Sequence, residues 1–536
     1  MATFLDAPLA LHSSTFLWLN DMTRSGLGLT ITLVLATIAL APLFARSVFL
    51  SLWSNTVPVI NPPKLFEPTF LKSMEFPSRG AYYYREGQKR FPNQPFKLLS
   101  NQGFVTILPA DRALEVRNVA TLDFRKAFGN ILPDGFLSSQ AVGILDHPEG
   151  VMQRVVIQHL TKQPDDITKA MSTEAAFAVG KSFGDNHEWS DVKLYDPVTD
   201  VVARMSSRVF LGDVLCRSEE WLNITKSFAI TAITCVMTLR AFPPWLRSLV
   251  HRFSKAGKDF RALYARAQTM VDPIVLERRR ELADCAAQGM PPPVHNDVLE
   301  WGAKECPDTP FDMCALQLTL SLASIHTTSD LLAQTLLYLS AQPESIEALR
   351  EEIVQILPIH GWKASTFAAL KRMDSAIKEA QRLKPVALAG MQRYVTEDTT
   401  LAGGIALRRG EFVAVDAGRN WDPERFENPG QYSPFRFSEA RRRSAAEHSH
   451  QLTAVTSDNI SFGFGKTVCP GRFFASSEIK IALCHLILKY DWKIAEGSSP
   501  DFLTIGFSLV VNPEAKVSFR RRKEEFDLDS LPVDME

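Results

Sequence analysis

Ser461-Phe-Gly-Phe-Gly-Lys-Thr-Val-Cys469-Pro-Gly-Arg-Phe-Phe-Ala475 is the stretch that decides how this chain is read. Three glycines, Gly463, Gly465 and Gly471, surround one cysteine. Without a Cβ, a glycine backbone can turn tightly and approach a flat ligand closely. Such a loop can also aim amide N–H groups at the Cys469 sulfur, stabilising a thiolate and tempering its donation to a metal. From about Pro470, Phe474, Ile479, Ile481, Ala482 and Leu486 recur at near-helical spacing. The N-terminal end of that helix would favour a thiolate as well. The plain alternative is a buried cysteine in a glycine-rich turn. The other six cysteines have no such surroundings. An odd total of 7 with no CxxC pair indicates neither a disulfide framework nor a structural zinc site.

Upstream, Asp308-Thr309-Pro310 is a helix-start signal, and the helical pattern runs to Ala341 ahead of Pro343. That is roughly 32 residues, or about 48 Å. Between Leu316 and Ser340 there is no Lys or Arg and one acid, Asp330, so this helix should cross the core. Its middle nevertheless carries His326-Thr327-Thr328-Ser329. Polar groups there must either bond back to their own helix or face a cavity. Further on, Glu379-Ala-Gln-Arg382 places a carboxylate and a guanidinium on one helix face at i, i+3. A planar guanidinium can hold a carboxylate through two hydrogen bonds. Strand-like runs are short and scattered: 412–415, and 507–511 facing 516–519. Phe96–Leu99 and Phe104–Leu108 flank a hairpin signal at Asn101-Gln102-Gly103. Asp272-Pro273 reads as another helix start.

Phe462-Gly-x-Gly465-x-x-x-Cys469-Pro-Gly471 resembles the haem-binding loop of the cytochrome P-450 superfamily. Three other elements follow in that family's order. Glu379-Ala-Gln-Arg382 is similar to its Glu-x-x-Arg helix. Ala323-Ser-Ile-His-Thr327-Thr328 stands where its oxygen-activating helix has a small pair, an acid and two threonines. Tyr432-Ser-Pro434-Phe-Arg436-Phe437 is similar to its aromatic-x-Pro-x-Arg-Phe segment. The resemblance implies a mainly α fold with small β-sheets, a single large haem domain behind an N-terminal transmembrane helix. It implies haem b (iron protoporphyrin IX) as cofactor, with Cys469 as the axial iron ligand and Phe462, Gly463, Gly465 and Gly471 shaping the loop. Thr327 would hydrogen-bond oxygen or a delivering water. His326, replacing the family's acid, would relay protons. Glu379, Arg382 and Arg436 would form a buried structural triad. The tetrapeptide Pro423-Glu-Arg-Phe426 spells a family motif literally, but the spacing from Asp422 through Pro429, Tyr432 and Pro434 assigns the role to Arg436. Thr467 departs from the family's basic residue, which reaches a haem propionate. Arg393 is the candidate to compensate, and Arg154 lies in the region of another propionate contact.

The implied activity is that of a haem-thiolate monooxygenase, which activates O2 with NADPH-derived electrons. It would hydroxylate or oxidise an apolar polycyclic intermediate (terpenoid, meroterpenoid or polyketide) in fungal secondary-metabolite biosynthesis. A haem-thiolate isomerase or dehydratase of the same fold, and a non-catalytic haem-binding membrane protein, are the alternatives. No flavin or iron–sulfur pattern is present, so the resemblance implies an NADPH–cytochrome reductase partner, with cytochrome b5 as a second candidate donor. Lys466 and Arg472 flank the loop and could meet an acidic partner face. Substrate contacts would come from residues 124–137, the helices around Pro243-Pro244, Ile325, residues 386–391 and Phe507.

Residues 25–45 are an uncharged run of 21 between Arg24 and Arg46. As a helix this spans about 30 Å, enough for a bilayer core. Arg46, Lys64, Lys72 and Arg79 follow it, and Arg24 alone precedes it, so the positive-inside rule puts the bulk of the chain in the cytosol. The expected layout is a lumenal segment 1–24, a single-pass anchor 25–45 in the endoplasmic reticulum membrane and a proline-rich hinge 46–65. The catalytic domain would be 66–522 and an acidic tail 523–536. With 59 Lys and Arg against 60 Asp and Glu, the net charge of −1 argues against a nucleic-acid binder that works through bulk charge. The length of 536 would suit three or four units at roughly 150 residues each. The motifs instead sit across one body.

Overall fold

A computed structural model describes residues 57–531, except 65–66, 132–142, 163–164, 241, 243 and 444–446, and four isolated earlier positions (Val34, Thr37, Leu40 and Ala41). Apart from those four positions, the anchor, with most of the hinge and the last five residues of the tail, lies outside the described residues. Within them, helices dominate. Those that position the site are α1 (Phe76–Arg90), α2 (Asp165–Phe183), α3 (Tyr195–Leu211), α4 (Glu219–Arg240), α5 (Pro244–Phe253) and α6 (Lys255–Gln288). After them come α7 (Met313–Ser340), α8 (Pro343–His360), α9 (Lys371–Leu383) and α10 (Arg472–Lys489). α4 is long and apolar enough to cross a bilayer, but half of it is buried, and it packs on α3, α6 and α7 as a core helix.

β1 (Phe96–Ser100) and β2 (Gly103–Leu108) form the expected hairpin, paired from Phe96↔Ile107 to Ser100↔Gly103. It belongs to a five-stranded sheet with β3 (Leu122–Asp123), β5 (Ala389–Val395) and β6 (Phe412–Asp416), in the order β1-β2-β6-β5-β3. Only the β2–β6 pair of that sheet runs parallel. β4 (Ser190–Lys193), β10 (Lys516–Arg521) and β7 (Tyr490–Ile494) make a second sheet in the order β4-β10-β7. The expected pairing of 507–511 with 516–519 is not formed. β9 (Ser508–Val511) instead folds back on β8 (Phe502–Ile505), with Ile505↔Ser508 closing the turn. Gly506 adopts φ +61° there, a conformation an L side chain rarely takes, so the tight local hairpin outcompetes the more distant partner.

Two helix starts also differ from expectation. α7 begins at Met313, because Asp312 caps it by accepting the Ala315 amide at 3.0 Å, while residues 306–311 stay outside the helix. Asp272-Pro273 starts nothing: Pro273 lies inside the 34 residues of α6, whose real cap is Ser254, accepting the Gly257 amide at 3.1 Å. An internal proline loses one helix hydrogen bond, at a cost of about 3 kcal/mol. α6 tolerates it just after the buried anchors Phe260, Tyr264, Ala267 and Val271 of its preceding turns. At the C-terminal end, Arg521 and Arg522 pair with Glu524 and Glu525, Leu528 is buried, and Trp362 Nε1 donates to the Leu528 carbonyl. The acidic segment therefore lies against the body as far as the described residues extend.

Candidate active site

α7 runs through the main core, packed on α3, α4, α9 and α10. Along its 28 residues the only exposed positions are Ala323 and Thr327. They are four apart, so they lie one above the other on a single face. The helix is thus open at this one turn and covered on either side of it. Thr327 Oγ1 donates back to its own helix, at 2.8 Å to the Ala323 carbonyl and 3.3 Å to that of Ser324.

The cysteine loop has the second open face. Cys469 is an exposed residue, although the Gly463 and Cys469 amides are tied into the loop by bonds of 2.8 Å to the Ile460 and Phe462 carbonyls. Gly463 and Gly465 take φ +76° and +80°. At Gly465 a Cβ would stand 2.6 Å from the Arg117 side chain, so this glycine is required by space as well as by backbone. Although Cys469 is open on one face, the protein packed around its sulfur pushes the thiol up. The backbone amides of Gly471 and Arg472 and the Arg472 charge oppose that shift. Directly afterwards α10 begins at Arg472 and packs against α7.

Arg393 on β5 is 3% exposed. It donates to Thr467 Oγ1 and to the Gln392 carbonyl, stands 5.5 Å from the Phe124 ring, and has no carboxylate ion-pair partner among the described residues. Burial lowers it to about 10, so the guanidinium stays charged at neutral pH. Arg393, the candidate to compensate for Thr467, thus touches it. Arg154 is exposed and engages Glu149 and the Glu305 carbonyl.

Glu379 on α9 is fully buried and holds Arg382 through two bonds of 2.8 Å each. Its Oε1 also accepts Arg436 Nε at 3.0 Å and the Ser433 amide at 3.2 Å. Arg382 Nη1 donates to the Asn420 and Pro429 carbonyls, and Arg436 Nη1 to that of Glu427. Two cations are thus gathered on one carboxylate with most donors satisfied, which a buried ion cluster needs. Arg425 of the literal tetrapeptide goes elsewhere, to Asp422 and Asp458.

His326 points to neither of the two open faces. Its Nδ1 lies 3.2 Å from the Tyr195 hydroxyl and its Nε2 3.0 Å from the Lys226 carbonyl. Ile325 is fully buried against Ala203 and Leu222, a core contact rather than a wall of the open space. Phe507 packs edge-on against Phe76 at 4.8 Å. Phe124 and Val386 are exposed, and 132–137 and Pro243 lie outside the described residues. Around the loop, Arg472 Nε and Nη1 turn inward to the Thr453 and Cys469 carbonyls, whereas Lys466 is exposed. Tyr195, Lys226 and Arg117 went unnoticed in the sequence. Their contacts with His326 and the loop span 100 residues or more, and no motif marks them.

The open thiol in its glycine-turned loop, the Ala323–Thr327 window and a buried arginine with no carboxylate ion-pair partner among the described residues suit a flat, anionic iron porphyrin. Fold and thiolate loop together define a haem-thiolate oxygenase. The Cytochrome P450 family model matches residues 151–519, and the chain belongs to that family. Relatives include Cytochrome P450 monooxygenase 1 of Gibberella fujikuroi, 39% identical over 81% of this chain and 99% of that protein. Cytochrome P450 monooxygenase adrA of Penicillium rubens is 36% identical over 88% and 93%. Dihydromonacolin L monooxygenase LovA of Aspergillus terreus is 33% identical over 88% and 90%. Among solved structures, the retinoic acid bound cyanobacterial CYP120A1 shares the fold with a TM-score of 0.63 at 17% identity, over 87% of this chain and 99% of that one. The protein is a haem-thiolate monooxygenase, and it depends on a redox partner for electrons.

Proposed function

We propose that this monooxygenase hydroxylates or oxidises an apolar, polycyclic terpenoid, meroterpenoid or polyketide intermediate of fungal secondary metabolism. Cys469 would hold haem b, which when bound would supply the oxygen-activating chemistry. The chain's own residues do the rest. The Gly471 and Arg472 amides temper the sulfur, Arg393 meets a propionate, and the Thr327 hydroxyl orients water or substrate oxygen at the open turn of α7. The observation that carries this reading is Cys469, an exposed thiol in a loop turned by Gly463 and Gly465 and set directly ahead of α10. The substrate class is supported by relatives whose names specify such a metabolite. The electron donor on this reading is a membrane-bound NADPH–cytochrome reductase meeting Lys466, with cytochrome b5 as an auxiliary.

Residues 25–45 hold the enzyme in the endoplasmic reticulum membrane, catalytic body in the cytosol. The outward face of α5 supports this placement. Trp245, Leu249 and Phe253 stand at four-residue spacing and are each more than half exposed, as are Ile230 and Ile233 of α4. An apolar helix face beside basic residues such as Arg247 and Arg252 suits a lipid interface.

The test of the chemistry is the carbon monoxide difference spectrum of the reduced protein. Wild type should give the thiolate-type Soret band and Cys469→Ser should lose it; a band that survives the substitution refutes the assignment. Product analysis, with a reductase and a panel of fungal diterpenes and reduced polyketides, tests the substrate class.

A further inference from the structure

We infer that His326 is a positioning residue that ties α3 and α4 to α7 beside Thr327, and that it does not carry protons to that hydroxyl. The inference rests on the proposed role of Thr327. The Lys226 carbonyl can only accept, so Nε2 of His326 carries the hydrogen of their 3.0 Å contact. In a neutral ring Nδ1 is then the acceptor, and the Tyr195 hydroxyl donates to it at 3.2 Å. Both nitrogens are thereby engaged. A relay must take a proton at one nitrogen and release it at the other. Here the releasing nitrogen faces a backbone carbonyl, which cannot hand a proton on. Neighbouring residues on a helix also point about 100° apart, so the ring and the Thr327 hydroxyl leave α7 in different directions.

The surroundings of the ring are those of a three-helix junction. Tyr195 belongs to α3, Lys226 to α4 and His326 to α7. Lys226 Nζ pairs with Asp200 of α3. One residue from the ring, Ile325 closes a separate apolar cluster with Ala203 of α3 and Leu222 of α4. His326 thus adds a donor and an acceptor beside the Lys226–Asp200 ion pair and the Ile325–Ala203–Leu222 cluster. Burial holds the imidazole below the usual histidine range, in keeping with a neutral ring. The turn pinned in this way ends at Thr327 and starts at Ala323, the two open positions of α7.

Glutamine separates the two roles, because it keeps one N–H donor and one carbonyl acceptor but cannot relay protons at neutral pH. The experiment compares haem-loaded full-length wild type, His326→Gln, His326→Phe and Tyr195→Phe. Amide hydrogen exchange is followed in the part of α4 around Lys226. Losing one buried hydrogen bond should speed exchange there by about fivefold. His326→Phe should show that rise, Tyr195→Phe a smaller one, and His326→Gln wild-type exchange. In parallel, NADPH-driven peroxide release is measured with reductase and no organic substrate, in H2O and D2O. Its rate and solvent isotope effect should stay at wild-type values in His326→Gln. Unchanged exchange in His326→Phe overturns the tie. A His326→Gln protein with wild-type exchange but an altered isotope effect restores the relay. Exchange is read whether or not the enzyme turns over, so failure of the tie is distinct from failure of the monooxygenase reading.

Discussion

Glu379 has no water to solvate its charge, so its two arginines are its solvent. Glu379→Gln keeps the shape and removes the charge, leaving the buried Arg382 and the mostly buried Arg436 facing a neutral amide. Breaking a buried ion cluster from one side costs about 3–5 kcal/mol. Denaturant unfolding of the variant should show a loss of that size, and a loss below about 1 kcal/mol would mean the cluster is a solvated one. This cluster was legible in the sequence for a physical reason. The Glu379–Arg382 half is local, three residues apart on one helix, and Arg436 follows from the fixed spacing of a rigid loop. The partners of His326 obey no such rule. They lie 131 and 100 residues away, and one of them is a backbone carbonyl, which any residue type supplies.

At the scale of elements, α10 carries the clearest unused charge. Glu478 is fully buried, donates to or accepts from nothing but Ser206 among the described residues, and its Oε2 has no hydrogen-bond partner there. Burial pushes its carboxyl up to about 8, against the opposing bond to Ser206. The folded state therefore binds this proton more tightly than the unfolded chain, whose carboxyl titrates near 4.5. The stabilisation is complete below the unfolded value and is lost as pH rises through about 8. Wild type should lose stability relative to Glu478→Gln across that window, by on the order of a few kcal/mol. Parallel melting curves for the two proteins from pH 5 to pH 9 would show instead that the acid keeps an ordinary affinity. Elements themselves were read well where the signal was periodic, as in α7 and α10. They were misread where punctuation was weighed alone: Pro310 and Pro273 resemble helix starts, but the cap geometry at Asp312 and Ser254 decides. Gly506 likewise redirected a strand that alternation alone could not place.

For the molecule as a whole, the outward face of α5 and the uncharged run 25–45 make a joint claim about orientation. If the anchor holds the body against a bilayer, one side of the body must be wet by lipid. Trp245 is 80% exposed and leads the row Trp245, Leu249, Phe253. Leaving such side chains in water forfeits roughly 1.5–3 kcal/mol each relative to burial, which favours seating this face in the interface. Full-length protein reconstituted into vesicles with bromine-labelled acyl chains should therefore show quenched tryptophan emission. Of the 9 tryptophans, Trp18 and Trp53 lie near the anchor and will contribute. Trp245→Phe should remove a distinct part of the quenching while keeping the face apolar. Trp245→Glu with Leu249→Glu should in addition weaken the contact without detaching the anchored chain. Quenching that is the same in Trp245→Phe as in wild type would place α5 away from the bilayer. The anchor would then hold the body by its hinge alone, and an apolar substrate would have to enter by another face.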